Sequence, residues 1–563
     1  MKRLLSRKAL LWLLLIPLAF SVGFLTKATD QYFEISKNME IFGDLYKEVN
    51  QVYVDETNPT QLMRTGLDAM LGSLDPYTNY YSESQIDQSQ LIFSGQYSGI
   101  GAEVGRRKDA FIILELVGAG PADEAGIRVG DEILNIDEVP VSGSRLTLEE
   151  VNNLLMGEKE SEVRIRIRRS DGALPLTVPV KRQSAEVIQE TVSYSGMIND
   201  SIGYVLLANF TGTAGQEVNE AIQGLQKEQE LKGMVLDLRS NPGGRLDQAV
   251  DVSNLFLPQG ELIVEMKGRA KESKNKFYTR RPPLALEMPL AILLNGRSAS
   301  ASEIVAGSIQ DLDRGVIVGQ RSFGKGLVQN VRPLNTKDSQ AQMKVTLAKY
   351  YTPSGRCIQA IDYAHRNADG SVGKVADSLI QEFQTRNGRK VYDGGGVDPD
   401  WKVDRPEPAG ITRALIKQNL IFDFANQFSE ENDSIASPRE YELGASTWTA
   451  FLDFVKEKDF QFETQSEQQL AHFQKVLKRE GYQDELMEEI KALQTDIQQQ
   501  KSADVSTYQA EIQYELRKAI LQRYYFKEGV WEASFVWDPD IQAAVEVLAD
   551  PDQYRTILEG SNK

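Results

Sequence analysis

Between Ser201 and about Asp400, short apolar strands alternate with amphipathic helices, and this alternation limits the fold more than any other feature of the sequence. Helices are predicted at Ala214–Glu228 and Ser302–Gln310. Strands are predicted at Ile202–Asn209, Met234–Leu238, Leu290–Leu294, Val316–Val318 and Met343–Lys349. Strands and helices in alternation build a mixed α/β layer fold.

The chain has 563 residues, about three to four times the usual domain length of about 100–200 residues, so several domains are expected. The segments on either side of residues 201–400 have other patterns. Gln31 to about Gln90 has helical periodicity, and Asp75-Pro76 is expected to end its second helix because proline cannot continue the hydrogen-bond ladder. From Phe93 to Arg182, glycine-rich turns separate short β runs, with one helix at Thr147–Leu155. The β runs are Phe111–Val117, Ile133–Ile136, Val163–Ile167 and Leu174–Val180.

Beyond Ile411 the pattern is helical again. Two apolar stripes stand out: Leu486, Ile490, Leu493 and Ile497, then Ile512, Leu516 and Ile520. We interpret this segment as a helical packing or dimerisation domain.

The amino terminus resembles an export signal or an uncleaved signal anchor. Four basic residues within Met1–Lys8 precede Ala9–Leu25, an uncharged run of 17 residues. As a helix this run spans about 26 Å, close to the roughly 30 Å hydrocarbon core of a membrane. Because a basic flank stays in the cytoplasm, everything after Lys27 is expected to be exported.

Composition excludes several classes of function. The net charge of −18, from 63 basic and 81 acidic residues, argues against general nucleic-acid binding. The single cysteine, Cys357, excludes an intramolecular disulfide framework and cysteine-rich metal sites. With only His365 and His472, a hydrolase on this chain is not expected to use histidine as its base.

Residues 93–183 resemble a PDZ domain. The motifs are Tyr97-Ser-Gly-Ile-Gly-Ala-Glu-Val104, Gly120-Pro-Ala-Asp-Glu-Ala-Gly126 and Val129-Gly-Asp-Glu-Ile-Leu134. In this arrangement Gly99, Ile100, Gly101 and Ala102 form a nest of backbone N–H groups that accepts a terminal carboxylate. The strand Ala102–Val104 then offers its edge to the incoming peptide.

A serine cluster and a lysine supply the candidate chemistry. Ser298, Ser300 and Ser302 lie at alternate positions between a predicted strand and a helix, where a serine caps the helix or exposes its Oγ for catalysis. Serine needs a base, and Lys325 is the better candidate here because burial disfavours the ammonium form. Gly319–Gly326 also spells most of a phosphate-binding loop, but Gly326 replaces the Ser or Thr and a strand is predicted next.

Together, Ser298-Ala-Ser-Ala-Ser-Glu-Ile304 and Phe323-Gly-Lys-Gly-Leu-Val-Gln329 are similar to the active-site signature of carboxyl-terminal processing peptidases, or tail-specific proteases. The resemblance implies a Ser–Lys dyad with Ser300 as nucleophile, Lys325 as base and Gln329 as the residue that orients them. Asp311 matches an acidic position of some members and is interpreted as structural. Cys357 stands where small residues are commoner and is interpreted as packing.

The run Leu236-Asp-Leu-Arg-Ser-Asn-Pro-Gly-Gly244 resembles the oxyanion loop of that family. It implies that the N–H of Gly243 or Gly244, together with that of Ala301, binds the tetrahedral oxyanion. Tyr351–Gln359 and Gly396–Asp400 resemble further family landmarks. The resemblance covers roughly residues 31–410 and implies a crotonase-like α/β core.

The fold expected is therefore a multidomain α/β protein with five segments. These are 1–27, a signal peptide or anchor; 28–92, an N-terminal helical segment; 93–183, the PDZ domain; 184–410, the serine peptidase core; and 411–563, a C-terminal helical domain.

The resemblance implies a serine endopeptidase that processes or degrades exported proteins recognised by their tails. The alternative is a catalytically silent PDZ scaffold in the cell envelope. No metal or organic cofactor is expected. The expected substrates are unfolded or flexible proteins with apolar carboxyl ends, and an adaptor or activator protein and a homo-oligomer are further partners considered. The expected location is the periplasm, free or anchored in the inner membrane.

Overall fold

The computed structural model describes residues 32–82, 97–169, 173–184, 191–334, 341–482 and 486–560. The predicted signal segment lies outside these ranges. None of the described helices combines the length and the apolar character needed to cross a membrane. The chain divides into a small unit, residues 1–82 with 331–345, and a large unit that contains the remainder.

The small unit contains two helices and a short antiparallel pair of strands. Residues 32–52 and Pro59–Gly72 are helical, and Asn79–Tyr81 pairs with residues 342–344. The helical pattern predicted as far as Gln90 is therefore wrong at residues 79–81. The carboxylate of Asp75 accepts the N–H groups of Tyr77 and Thr78, at 2.9 and 2.8 Å, and so turns the chain out of the helix.

Residues 97–184 of the large unit form a β domain around one buried apolar cluster. Its main sheet follows the order Ala102–Arg107, Ala110–Leu116, Glu132–Ile136, Glu162–Arg168 and Leu176–Lys181. Val139–Pro140 pairs with the third of these strands, and a second sheet joins Gln183–Ser184, Tyr97–Gly99 and Gly157–Glu158. The helix Leu148–Leu155 begins at Thr147 with the reciprocal capping bonds that Thr147 and Glu150 predict.

The next domain is built on a six-stranded sheet that is parallel except at one edge. Its order is Val192–Met197, Ile202–Leu207, Gly233–Asp237, Leu290–Leu294, Val316–Gly319 and Trp401–Lys402. Three helices, Ala214–Glu228, Leu246–Asn254 and Ala301–Asp311, pack against one face. Every residue of Gly233–Asp237 and Leu290–Leu294 is buried, as expected for central strands covered on both faces.

Further strands and single turns complete this domain and frame the site described below. They are Leu262–Gly268, Asn275–Tyr278, Leu327–Pro333, Gln342–Tyr351, Ile361–Arg366, Val372–Lys374, Glu382–Gln384 and Lys390–Tyr392, with short helices at Lys271–Ser273 and Asp377–Leu379. A further short helix, Pro121–Glu124, belongs to the β domain.

The carboxyl-terminal third is helical, as predicted. Its helices are Gly410–Lys417, Leu420–Glu431, Ala445–Glu457, Gln465–Glu480, Met487–Ser502, Asp504–Thr507, Gln509–Trp537, Pro539–Ala549 and Pro551–Glu559. The helix Pro539–Ala549 packs on the second face of the six-stranded sheet through Ile541, Ala544 and Val547. This face contact joins the helical domain to the α/β core.

The long helix Gln509–Trp537 breaks at Phe526, whose backbone is not helical (φ 55°, ψ −158°). The Phe526 ring packs on Gly118 of the β domain so closely that a Cβ on Gly118 would be 2.8 Å from it. Arg107 also forms a bidentate ion pair with Asp423, with Nη1–Oδ1 and Nη2–Oδ2 distances of 2.6 and 2.9 Å. The helical domain thus contacts both the β domain and the α/β core.

Candidate active site

Ser300 lies between the strand Leu290–Leu294 and the helix Ala301–Asp311 and is the N-cap residue of that helix. Its backbone has φ 56° and ψ −110°, a conformation that residues with a Cβ rarely adopt. Strain of this kind, of order 1–3 kcal/mol, concentrates at functional sites.

The three serines of the cluster have different environments. Ser298 and Ser302 are fully buried, and their hydroxyls donate to the carbonyls of Leu238 and Asn241 at 2.8 and 3.0 Å. Ser300 is half-buried, and its Oγ acts as the acceptor of a capping box with Glu303, but it donates no hydrogen bond within the described residues. Ser300 is therefore the serine with a hydroxyl available to a ligand, while the other two tie its loop to residues 238–241.

Lys325 is half-buried, and the glycines on either side of it pack closely against residues 359 and 360. A Cβ on Gly326 would be 2.8 Å from the backbone nitrogen of Gln359, and Gly324 has φ +87° and faces Ala360. The strand Leu327–Pro333 follows, as predicted, so Lys325 does not open a helix as a phosphate-binding loop requires.

Glu303 links the serine to the lysine. Its Oε2 accepts the backbone N–H of Ser300 at 2.8 Å and that of Lys325 at 2.9 Å. Its Oε1 accepts the N–H of Gly324 at 2.7 Å and the hydroxyl of Ser322 at 2.5 Å. One carboxylate thus fixes both candidate segments.

Burial raises the pKa of the Glu303 carboxyl above its usual range, and the four donors oppose this effect only in part. Glu303 is completely buried. Because all four donors point at its two oxygens, the ionised form satisfies them best.

Tyr350 bridges the same two segments through their carbonyl groups. Its hydroxyl lies 2.6 Å from the carbonyl oxygen of Lys325 and 3.0 Å from that of Ser300, and its ring is 1% exposed. Burial holds the pKa of this phenol well above its usual value, so it remains a donor. The sequence places Ser300 and Lys325 25 residues apart, and two buried side chains bring their backbones together.

Of the three predicted oxyanion donors, Gly243 and Ala301 lie beside Ser300. A Cβ on Gly243 would be 2.7 Å from the Cβ of Ser300 and 2.8 Å from the nitrogen of Ala301. The N–H of Gly243 donates to Asn241 Oδ1 at 2.8 Å. In the described part of the chain the N–H groups of Gly244 and Ala301 have no hydrogen-bond partner.

Gln329 lies on the strand Leu327–Pro333, four residues after Lys325. Its Nε2 donates to Thr346 Oγ1 at 3.3 Å. This bond orients the side chain across to the neighbouring strand Gln342–Tyr351.

The predicted tail-binding segment lies at the start of an edge strand. Ala102–Arg107 has a neighbour on one side within the described sheet. The carbonyls of Ile100 and Gly101 accept Ala122 and Val117, at 2.8 and 2.9 Å, which fixes the turn, and Gly101 has φ +72°. The N–H groups of Ile100 and Gly101 carry no hydrogen bond within the described ranges, as an anion nest requires.

Asp311 lies at the far end of the helix Ala301–Asp311, away from Ser300. It forms a fully buried ion pair with Arg356 at 2.9 Å and accepts the N–H of Ser354 at 2.9 Å. Cys357 is partly buried, and burial raises the pKa of its thiol. In the described ranges no group of three or more His, Cys, Asp and Glu side chains is arranged to hold a metal ion.

Glu303, Asn241 and Tyr350 are residues of this site to which the sequence analysis gave no role. Glu303 and Asn241 lie within the motifs, and Glu303 carried a usable signal, because a serine followed three residues later by glutamate is the spacing of a capping box. Tyr350 lies outside the motifs, and its role depends on contacts formed only in the fold.

The fold and the site together define a PDZ-containing serine peptidase, and the comparisons agree. The model of peptidase family S41 matches residues 201–365, and the PDZ domain model matches residues 112–169. The model named "Probable PDZ-protease, C-terminal helical domain" matches residues 411–548.

Among characterised relatives, a carboxy-terminal-processing protease of Bartonella bacilliformis is 36% identical over 328 residues, which are 58% of this chain and 73% of that protein. The carboxy-terminal processing protease CtpA of Bacillus subtilis is 32% identical over 316 residues, 56% of this chain and 65% of that protein. The chain belongs to the carboxy-terminal-processing protease family. A solved photosystem II D1 C-terminal processing protease is 26% identical, with a TM-score of 0.35 over 64% of this chain and 92% of that one.

Proposed function

We propose that this serine peptidase uses Ser300 as nucleophile and Lys325 as general base to process or degrade exported proteins from their carboxyl ends. The observation that carries the proposal is the shared support of the two residues. Glu303 binds the N–H groups of Ser300 and Lys325, and the Tyr350 hydroxyl lies between their carbonyls. Two independent side chains thus hold the same pair of backbone segments.

The reaction follows from these groups. Neutral Lys325 removes the proton of the Ser300 hydroxyl as Oγ attacks the peptide carbonyl. The protonated lysine then gives that proton to the leaving amine, and the acyl-enzyme forms. Lys325 next removes a proton from water as the water attacks the ester, and it returns that proton to Ser300 Oγ as the new carboxyl end is released.

The oxyanion of each tetrahedral intermediate is assigned to the N–H groups of Gly244 and Ala301. Gly243 is the less suitable donor, because its N–H is already engaged by Asn241. The lack of a Cβ on Gly243 instead lets the loop approach Ser300 closely. Removing one such donor in a protease costs about 10²–10³ in rate.

Gln329 is proposed to orient Lys325. Its Nε2 faces Thr346, which leaves the amide oxygen as an acceptor for the lysine ammonium. An acceptor of this kind selects one rotamer of the lysine without fixing its protonation state.

Recognition of substrate tails is assigned to the nest formed by Gly99, Ile100, Gly101 and Ala102. The free N–H groups of Ile100 and Gly101 support it, as does the open edge of the strand Ala102–Arg107. A cavity of about 780 Å³ extends from this strand, past the long helix Gln509–Trp537, to Ser240 of the oxyanion loop. A bound tail has room there to reach the active site.

The compartment follows from the basic, then apolar, amino terminus, which supports export to the periplasm, with or without an inner-membrane anchor. The acidic chain favours unfolded or flexible substrates with apolar carboxyl ends over acidic ones. A homo-oligomer and an adaptor or activator protein remain proposals of the same kind.

The test compares the parent, lacking residues 1–27, with Ser300→Ala and Lys325→Ala. Lys349→Ala, which removes an exposed lysine from a neighbouring strand, is the control. Each protein is incubated with an unfolded protein that ends in apolar residues or in two aspartates, and products are identified by mass spectrometry. Cleavage by the parent and the control alone, faster for the apolar tail, is the expected result.

The other outcomes separate the parts of the proposal. Equal rates on both tails would exclude tail selection by the PDZ domain, while cleavage by Ser300→Ala would exclude this nucleophile. Tail binding without any cleavage by the parent would favour the silent scaffold.

A further inference from the structure

Five charged side chains meet where the helical domain contacts the loop that precedes Gly243. Arg239 donates to Asp237 at 2.6 Å, and its Nη1 donates to Asp538 and Asp540, each at 2.9 Å. Arg405 reaches the same two helical-domain carboxylates at 2.5 and 3.0 Å. The three carboxylates are at most 7% exposed, Arg239 is 15% exposed and Arg405 is 31% exposed, so water screens the carboxylates and Arg239 little and Arg405 more.

The loop that holds Arg239 is bonded on both sides to the segment that carries Ser300. The carbonyl of Leu238 accepts Ser298 Oγ at 2.8 Å. The N–H of Ser240 donates to Asn295 Oδ1 at 2.9 Å, and the carbonyl of Asn241 accepts the N–H of Ala299 at 3.0 Å. A shift of Arg239 would therefore move the oxyanion loop against the nucleophile.

The cluster has features that oppose the stability of the fold. It buries three carboxylates against two guanidinium groups, and Asp540 Oδ1 has no hydrogen-bond partner within the described structure. Burial raises the pKa of Asp540, whereas the two arginines lower the pKa of Asp538 against the effect of burial. Well-packed apolar residues often replace buried ion pairs without loss of stability, so stability alone does not account for this group.

We propose that Asp538 and Asp540 of the helical domain are positioning residues for peptide hydrolysis. Through Arg239 they set the backbone of the loop that carries Gly243 and Gly244, so the active site is complete only when the helical domain is docked. The inference rests on the proposed function, because it gives the loop its role in binding the oxyanion.

The test measures kcat and KM on the unfolded reporter, and Tm, for Asp538→Asn, Asp540→Asn and Asp550→Asn. Asp550 is the matched control. Like Asp538 it caps a helix that begins with proline, and asparagine caps equally well, but within the described residues its carboxylate accepts only the N–H groups of Asp552 and Gln553. Asp540→Asn is the second variant in case Asp538→Asn fails to fold. It removes one of three carboxylates that face two guanidinium groups, so the cluster becomes neutral in net charge.

The expected result is a fall in kcat of at least about tenfold for Asp538→Asn and Asp540→Asn with KM close to the parent, and no change for Asp550→Asn. Tm should stay close to the parent for Asp540→Asn and fall for Asp538→Asn, because the two arginines stabilise the ionised form of Asp538. A second arm combines Asp538→Asn with Arg239→Gln. If the aspartate acts through the arginine, the double variant is no slower than Arg239→Gln alone.

The proposal is overturned if kcat of Asp540→Asn stays within twofold of the parent, or if activity in both asparagine variants falls only as the folded fraction falls. Additive losses in the double variant would also overturn it. Failure of the proposed function has a different signature, since Ser300→Ala would then cleave as fast as the parent.

Discussion

The most informative single substitution is Glu303→Gln, because it changes the shared support of Ser300 and Lys325 without changing its size. The carboxylate accepts four hydrogen bonds of 2.5–2.9 Å, two at each oxygen. A glutamine keeps one acceptor oxygen and turns a donor NH₂ toward the other pair of donors.

The orientation of the new amide can be worked out from its neighbours. The Ser322 hydroxyl can accept a hydrogen bond, so the NH₂ is expected to face Ser322 and Gly324, with the carbonyl toward Ser300 and Lys325. Two donors then lose the Oε1 acceptor. The Ser322 hydroxyl becomes an acceptor for the new NH₂ and must turn its own hydrogen elsewhere, whereas the N–H of Gly324 faces a second donor at a position where 2.7 Å was a bond. An unsatisfied buried donor costs about 1–3 kcal/mol.

Stability and activity should respond differently. The cost at Gly324 is offset in part, because the variant no longer buries an ionised carboxylate, so Tm is expected to change little. Displacement of Gly324 moves the adjacent Lys325, and misplacement of a catalytic group by about 1 Å can cost 10²-fold. We expect kcat to fall by about ten- to a hundredfold.

The assay is cleavage of the unfolded reporter at saturating concentration, with Tm measured on the same samples. Asp400→Asn is the control, because Asp400 is also a buried carboxylate that accepts a backbone N–H, from Ile317 at 2.9 Å, but lies away from Ser300 and Lys325. It should leave kcat per folded molecule unchanged. A Glu303→Gln variant with kcat within twofold of the parent, or with a loss that Asp400→Asn shares, would refute the reasoning.

Four further outcomes are expected. Burial raises the pKa of Glu303, so folding favours its protonated form and its contribution to stability is lost as pH rises through that pKa, whereas activity needs the carboxylate. A pH profile of kcat should therefore fall on the acid side through two protonations, that of Lys325 and that of Glu303 above the ordinary glutamate value of about 4.3, and only the Glu303 step should be absent in Glu303→Gln. Gly243→Ala should abolish cleavage, because its Cβ would lie 2.7 Å from that of Ser300, while Gly260→Ala, at a similar φ of +90° in open space, should lower Tm alone. Lys325→Arg should be inactive in the reporter assay, since a guanidinium stays protonated and cannot act as base, and cleavage by this variant would exclude the lysine as base. Tyr350→Phe should cost about 1 kcal/mol of unfolding free energy in a urea titration and slow cleavage several-fold, and an unchanged rate would contradict the bridging role of the hydroxyl.

Much of the fold could be predicted because its elements have strong periodicity. Ala214–Glu228 and Leu290–Leu294 have the predicted bounds, and the helix after Ser300 extends one residue beyond the prediction at each end. In the carboxyl-terminal helices, periodicity predicted less well which apolar side chains are buried. Ile512, Leu516 and Ile520 are fully buried, but Leu493, on an equally regular stripe, is 49% exposed. A helical stripe predicts an apolar face without identifying what covers it.

The site residues also fall into those that the sequence predicts and those that it does not. Ser300, Lys325 and Gly243 lie in short motifs whose residue types reflect local needs, such as a close approach that only glycine permits. Tyr350 acts on Ser300 across 50 residues, and Asp538 acts on Arg239 across 299. No local pattern encodes such pairs, because each partner alone is an ordinary tyrosine, aspartate or arginine.

The backbone conformation of Ser300 has an evolutionary consequence. At φ 56° a glycine is relaxed where serine is strained, so the mutation that removes the hydroxyl and the Cβ together also relieves the fold. Gene copies released from selection for proteolysis can therefore lose the proposed nucleophile at little cost in folding, because the relief of strain offsets the greater freedom of glycine in the unfolded chain. Silent paralogues should arise readily on this architecture, and glycine at this position should be among their earliest marks.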